Sequence, residues 1–222
     1  MMELQARTMV IRIDDATLGA TGATFFGDLV FLTNLGMRPV VVAPTADAAR
    51  AVVRTMNRSG DTAVGLSGAD AGMIPAAAGT IGAVQTKLLV TLLDAGYVPV
   101  IEPLAFGFTG TDVAVAADDV AQALATATGA ARAIFFHEFG GVVDAKTHLL
   151  VDQLTPAEAL DVAADRTLPN DLRAAVRAAA LGVRGGVAAA QICDGRVAHA
   201  AIVEFLTARH LGTQVAGTVF TA

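Results

Sequence analysis

Leu92–Pro103, LLDAGYVPVIEP, is the stretch that decides the fold class. Thr86–Ala95 reads as a helix, and Gly96 closes it, because glycine most easily takes the left-handed turn that follows a helix. Tyr97–Ile101, YVPVI, is then apolar at nearly every position. A strand without a polar face must be covered on both sides, which is the habit of parallel sheets held between helices.

The same alternation extends in both directions. Met9–Ile13 (MVIRI), Pro39–Val42 (PVVV), Thr62–Leu66, Ala133–Phe136 and Val187–Ile192 read as strands. Ala23–Leu35 reads as a helix, with Phe25, Phe26, Leu29, Val30 and Leu32 forming an apolar stripe. Helices are also expected over Ala46–Asn57, Asp118–Thr128, Asn170–Leu181 and Ala198–Thr207. Another begins at Leu154-Thr155-Pro156-Ala157-Glu158: Thr155 caps it, Pro156 takes its first position and Glu158 closes a capping box. Strand–helix alternation along the whole chain predicts an α/β fold, a three-layer αβα sandwich with a mostly parallel open sheet. No repeat or linker divides it. A single domain over residues 1–222 is expected, with any lobe boundary near residues 105–130.

Composition narrows the function classes. The 222 residues are 54% hydrophobic and 16% charged, so the chain can fill a large core. Its net charge of −6 offers no basic face for a phosphate backbone, so no nucleic-acid partner is expected. No apolar run is long enough to span a bilayer, and the N-terminal stretch MMELQARTMVIRI lacks a signal-peptide pattern. The single cysteine, Cys193, lies in an apolar run and reads as a small core residue. A cytoplasmic location is the expectation.

Several segments resemble the N-acetylglutamate kinase branch of the amino-acid kinase family. Val64–Asp70 (VGLSGAD) is similar to the family's VGLSGKDG, and Leu92–Pro103 to LLEAGYIPVIAP. Leu154–Ala159 (LTPAEA) matches a family helix start. Arg184–Val187 (RGGV) and Asp194–Ala200 (DGRVAHA) are similar to RGGV followed by DGRVPHA, and Gly212-Thr213 to the final GT. These segments keep family order over nearly the whole chain. The resemblance implies transfer of the γ-phosphoryl of ATP, with Mg²⁺, to a carboxylate. It also implies a small-molecule ligand and assembly as a homo- or hetero-oligomer. Such chemistry brings one anion towards another. At ~4 Å two like charges repel by about 4 kcal/mol at an effective dielectric of 20, so the site needs cations and backbone N–H donors.

The residues expected to supply them are largely replaced. Where the family ends its first strand in lysine and two glycines, this chain has Arg12-Ile13-Asp14-Asp15. Arg12 keeps the charge, and the two acids read as a turn or helix cap, with Mg²⁺ ligation as the alternative. The family's HGGG aligns with Ala43-Pro44-Thr45-Ala46, and the stretch after it, which holds the substrate lid, is several dozen residues shorter. Of N-x-N-A-D only Asp118 remains, after Ala114. Two further lysines fall at Ala69 and Ala175; Arg173 is two residues out of register, about 200° around a helix. The nucleotide-side loop, His137–Asp144 (HEFGGVVD), is the best preserved part of its region.

The resemblance therefore assigns Arg12 and Asp118 as catalytic candidates and Glu138, Gly141, Val143 and Arg173 as nucleotide-binding candidates. No substrate contact or metal site is assigned. His137 and Glu138, as strand neighbours, point to opposite faces and are not read as an acid/base pair. Gly19, Gly22 and Gly27 do not make a dinucleotide fingerprint. His137, His148, His199 and His210 have no zinc spacing with Cys193, and Gly65-Leu66-Ser67-Gly68 misses a nucleophile elbow by its last glycine. Two functions stay open. The preferred one is a non-catalytic ligand-binding, regulatory or structural subunit. The alternative is a divergent kinase acting on the carboxylate of an N-acylated amino acid, as in arginine biosynthesis, with Arg12, Arg173 and Mg²⁺.

Overall fold

The computed structural model describes residues 7–60, 62–107, 109–207 and 210–217. The N-terminal residues 1–6 that entered the signal-peptide reading lie outside these. The main sheet is built from β1 (Thr8–Arg12), β2 (Arg38–Val42), β3 (Ala63–Leu66), β6 (Val98–Ile101), β9 (Arg132–His137), β10 (Gln153–Leu154), β11 (Ala189–Asp194) and β12 (Gly212–Ala216). Its order is β10-β12-β11-β9-β1-β2-β6-β3. The pairings from β11 across to β3 are parallel; β12 runs antiparallel to β11 and parallel to β10.

The central strands alternate their side chains between two cores. Met9, Ile11, Val41, Ile134 and Phe136 pack on one face, against α1 (Asp15–Asn34), α2 (Ala46–Met56) and α7 (Ala200–Leu206). Val10, Val40, Val42, Ala133 and Phe135 pack on the other, against α3 (Lys87–Asp94), α4 (Ala117–Ala127), α5 (Pro156–Ala164) and α6 (Asn170–Arg184). The central strands are apolar over most of their length because both faces are covered, and the architecture is the expected three-layer sandwich. No single described helix is long and apolar enough to cross a membrane.

Four features differ from the sequence expectation, the first being that β10 and β12 of the main sheet were not among the expected strands. Helix α1 begins at Asp15, not Ala23: its halves Asp15–Gly22 and Thr24–Asn34 meet at 87°, and only the second carries the apolar stripe. Gly19 and Gly22 lower the helical propensity of the first half, but Asp14 starts it by accepting from the Thr17 N–H at 2.8 Å. Strand β11 begins two residues later than expected, because α6 continues to Arg184 and a turn follows. A second, four-stranded sheet was not foreseen: β4 (Pro75–Ala77), β5 (Thr80–Ile81), β7 (Leu104–Gly107) and β8 (Asp112–Ala114), ordered β5-β4-β7-β8. Its strands have two to four residues each, too few for an alternation to be read.

The retained glycine motifs explain how these parts fit. A Cβ on Gly68 would lie 2.3 Å from the Leu104 carbonyl oxygen, where the second sheet meets the end of β3. One on Gly195 would lie 2.0 Å from Thr17 Oγ1 of α1, and one on Gly212 would lie 1.9 Å from the Ile192 carbonyl oxygen. At Gly68 and Gly212 backbone passes too close for any side chain, and at Gly195 the Thr17 side chain does.

Candidate functional site

Open α/β sheets bind ligands at the carboxyl ends of their strands, where neighbouring strands send their connections to opposite faces. Here that point lies between β1 and β9: the chain leaving β1 forms α1 on one face, and the chain leaving β9 reaches α5 on the other. Arg12 ends β1 and His137 ends β9. By strand alternation Arg12 shares a face with Val10, and His137 with Phe135, so both turn towards α4 and α6.

The first turn of α4 meets them. Arg12 Nε lies 2.8 Å from Asp118 Oδ1, with both side chains almost fully buried. The contact is an ion pair at close range, but its angles are not those of a directed hydrogen bond: Arg12 Nε and Nη1 and Asp118 Oδ1 are all without a hydrogen-bond partner. Burial raises the Asp118 pKa above its ordinary 3.8, and the Arg12 and His137 charges offset this only in part. Asp171, in the first turn of α6, adds negative potential to the cluster.

His137 is a member of this cluster that the sequence did not nominate. Its ring is 3% exposed, stacks on Phe139 at 5.3 Å, and has no hydrogen-bond partner on either nitrogen. Nδ1 lies 3.8 Å from Asp14 Oδ2. Burial and then the Arg12 cation lower its pKa below 6.5, because both disfavour the imidazolium. No local motif marks it. Its partners are adjacent through strand order, which a single chain's pattern does not reveal.

Asp14 serves as a cap. Oδ1 accepts from the Thr17 N–H and from Thr17 Oγ1 at 2.6 Å, and Oδ2 accepts from the Glu138 N–H at 3.0 Å. Thr45 does the same for α2, accepting from the Ala48 N–H at 3.1 Å. Asp15, by contrast, is exposed.

The four nucleotide-side candidates separate. The Glu138 N–H goes to Asp14, and its carbonyl accepts from Arg196 Nη2 at 2.7 Å. Gly141 has φ +137°, and a Cβ there would lie 2.8 Å from both Leu150 Cδ1 and Thr213 Oγ1, so packing alone requires glycine. The next N–H, of Val142, donates to Thr213 Oγ1 at 2.8 Å. Val143 is exposed and forms an antiparallel bridge with Leu150. Arg173 donates to the Ala163 carbonyl and to Asn170 Oδ1, tying α6 to the end of α5. Ala175 is fully buried in the α6 core.

A separate cleft of about 420 Å³ opens beside α2 and β3, and none of the cluster residues lines it. No group of three His, Cys, Asp or Glu residues able to hold a metal ion occurs among the described residues.

Comparison with known proteins agrees with this framework. The chain is 36% identical over 183 residues to acetylglutamate kinase of Synechococcus sp. (strain RCC307), covering 75% of this chain and 60% of that relative. It is 30% identical over 241 residues to acetylglutamate kinase of Thermosynechococcus vestitus, covering 86% of this chain and 81% of that relative. That alignment is longer than the chain, so the relative carries internal segments that are absent here. Among solved structures, N-acetylglutamate synthase from Neisseria gonorrhoeae, complexed with coenzyme A and N-acetyl-glutamate, superposes with a TM-score of 0.80. It is 20% identical and covers 99% of this chain and 61% of that one. The sequence model described as the amino acid kinase family matches residues 7–194. With the open αβα sheet, the ordered glycine motifs and these matches together, the chain belongs to the amino acid kinase family and is acetylglutamate kinase-like.

Proposed function

We propose that this chain is a non-catalytic acetylglutamate kinase-like subunit that keeps the fold and serves in ligand binding, regulation or assembly. The observation that carries the reading is the acid at the end of β1: Asp14 stands where the resemblance expects glycine, and its carboxylate accepts from the Thr17 and Glu138 N–H groups. Arg12, the cation at the position where the resemblance expects lysine, is paired with a buried carboxylate. A phosphoryl group there would meet Asp14 in place of a glycine, and the negative potential of Asp171 as well. Each acid adds repulsion at the point where transfer chemistry needs positive charge.

Kinase relatives imply ATP and Mg²⁺, and the residues present fit neither well. The glycine cradle is replaced by Asp14, whose oxygens are engaged by Thr17 and Glu138. The Glu138 and Val142 N–H groups of the 138–142 loop are turned inwards, on Asp14 and Thr213. Arg173 holds α5. The long alignment with the Thermosynechococcus relative supports a missing lid segment. The proposed unit is one domain over residues 1–222, with the segment near 105–130 as the place where two lobes would meet. Its partners would be a small molecule of the nucleotide or acyl amino acid class and further copies or other subunits.

The second reading is a divergent kinase, favoured by one observation: Arg12 Nη1 and both His137 nitrogens are buried without hydrogen-bond partners. Such groups gain from an incoming anion. Titration with Mg-ATP, then N-acetylglutamate, with product detection, separates the two. The proposal expects no turnover in the wild type. ATP-dependent turnover that disappears in both Arg12→Ala and Asp118→Ala would replace it with the kinase reading.

A further inference from the structure

The cleft beside β3 has a charge pattern that the Arg12–Asp118 cluster does not use. Arg50 and Arg54 line one wall, one helical turn apart on α2. Asp70 and Glu102, from the segments that follow β3 and β6, line the cleft as well, and Val53 and Leu66 supply apolar surface. Arg50 is already paired with Asp47. Asp70 Oδ2 accepts from the Ser67 N–H and from Ser67 Oγ, which holds its turn in place. Glu102 is positioned by its backbone N–H, which donates to the Leu66 carbonyl at 3.0 Å. Among the described residues, the side chains of Arg54 and Glu102 have no hydrogen bond or ion pair. Glu102 also stands where the similar family segment has alanine, so this acid is a feature of the chain itself.

We propose that this cleft binds a small zwitterion, an α-amino acid whose carboxylate faces Arg54 and Arg50 and whose ammonium faces Glu102 and Asp70. A ligand of one charge sign would be attracted to one wall and repelled by the other. A ligand carrying both signs satisfies both walls, and its side chain covers Val53 and Leu66. Walls of opposite charge thus select for the zwitterion by rejecting each monopole. Arg54 supplies a planar two-pronged donor suited to a carboxylate. A volume of about 420 Å³ holds a molecule of this size.

The test titrates the full chain with L-leucine, N-acetyl-L-leucine and L-leucinamide, following backbone amide NMR shifts. The two analogues lack the ammonium and the carboxylate respectively. Saturable binding of L-leucine at about 1 mM is expected, with each analogue at least about tenfold weaker. Arg54→Gln should remove the preference over leucinamide, and Glu102→Gln the preference over N-acetyl-leucine. Both side chains are partly or largely exposed, so the variants fold, and the unchanged spectrum outside the cleft verifies this. Equal binding of all three probes, no saturable binding of L-leucine, or variants without effect on the preferences overturns the proposal. The titration uses no nucleotide, and no residue of the Arg12–Asp118 cluster lines the cleft, so the fate of the cleft is read independently of the kinase question.

Discussion

The Arg12 guanidinium lies 2.8 Å from the Asp118 carboxylate, joining the end of β1 to the first turn of α4 inside the protein. Removing one member leaves the other charge buried and uncompensated, which costs about 3–5 kcal/mol. Arg12→Ala should therefore lower the urea midpoint strongly. The double replacement Arg12→Leu with Asp118→Leu should recover most of that loss, because two apolar side chains remove both desolvation costs. A double variant no more stable than the single one would contradict this account of the pair.

His137 gives stability a dependence on pH. Its folded pKa lies below the ordinary 6.5, so the folded state disfavours the imidazolium. Its contribution is full above about 6.5 and is lost as pH falls through the lower folded value. Asp118 acts in the opposite sense: its raised pKa makes ionisation unfavourable in the folded state, so protonation near and above 3.8 relieves a cost. Urea midpoints measured from pH 7.5 down to pH 5 should fall for the wild type and flatten in His137→Gln. Parallel profiles for the two proteins would show that His137 is not the group responsible.

Gly68→Ala tests whether a retained motif glycine serves the fold. The new methyl group would face the Leu104 carbonyl at 2.3 Å, against backbone that cannot turn aside. A loss of about 1–3 kcal/mol is expected, as for overpacked cores. Hydrogen exchange should rise first in β7 and β4. Gly27→Ala is the control: nothing lies within 4 Å of its Cβ, and alanine in a helix stabilises by about 0.5–1 kcal/mol.

Cys193 should behave as a core residue. It is completely buried, and burial pushes its thiol well above the ordinary value. A disulfide-exchange reagent should modify it at the rate of unfolding and not before. Rapid modification of the native protein, with no loss of helix signal, would contradict its burial.

Much of the framework was legible because it depends on periodicity. YVPVI and PVVV read as doubly covered strands, and they became β6 and β2. The Thr155–Glu158 capping box was read from four residues and is present, with the Thr155 N–H donating to Glu158 Oε2 at 2.8 Å. The second sheet was illegible because strands as short as β5 contain no full period. The site was legible residue by residue but not as a set. Arg12 and Asp118 were named separately, and strand order and alternation bring them together. His137 was considered beside Glu138 and as a zinc ligand and set aside in both roles, yet β9 turns it towards Arg12. Gly141 and Arg173 were assigned as nucleotide-side candidates from the linear pattern, which did not show that Gly141 packs against Thr213 or that Arg173 donates to the Ala163 carbonyl.

The position of β12 bears on how the molecule is made. It comes later in the chain than both of its neighbours, β10 and β11, and is inserted between them. As the chain leaves the ribosome, β11 can dock on β9 while its other edge stays open. That edge remains available to foreign strands until residues 212–216 emerge. Completion of the sheet therefore waits on one short segment, and a nascent chain stalled just before Gly212 would carry the exposed edge that the finished protein conceals.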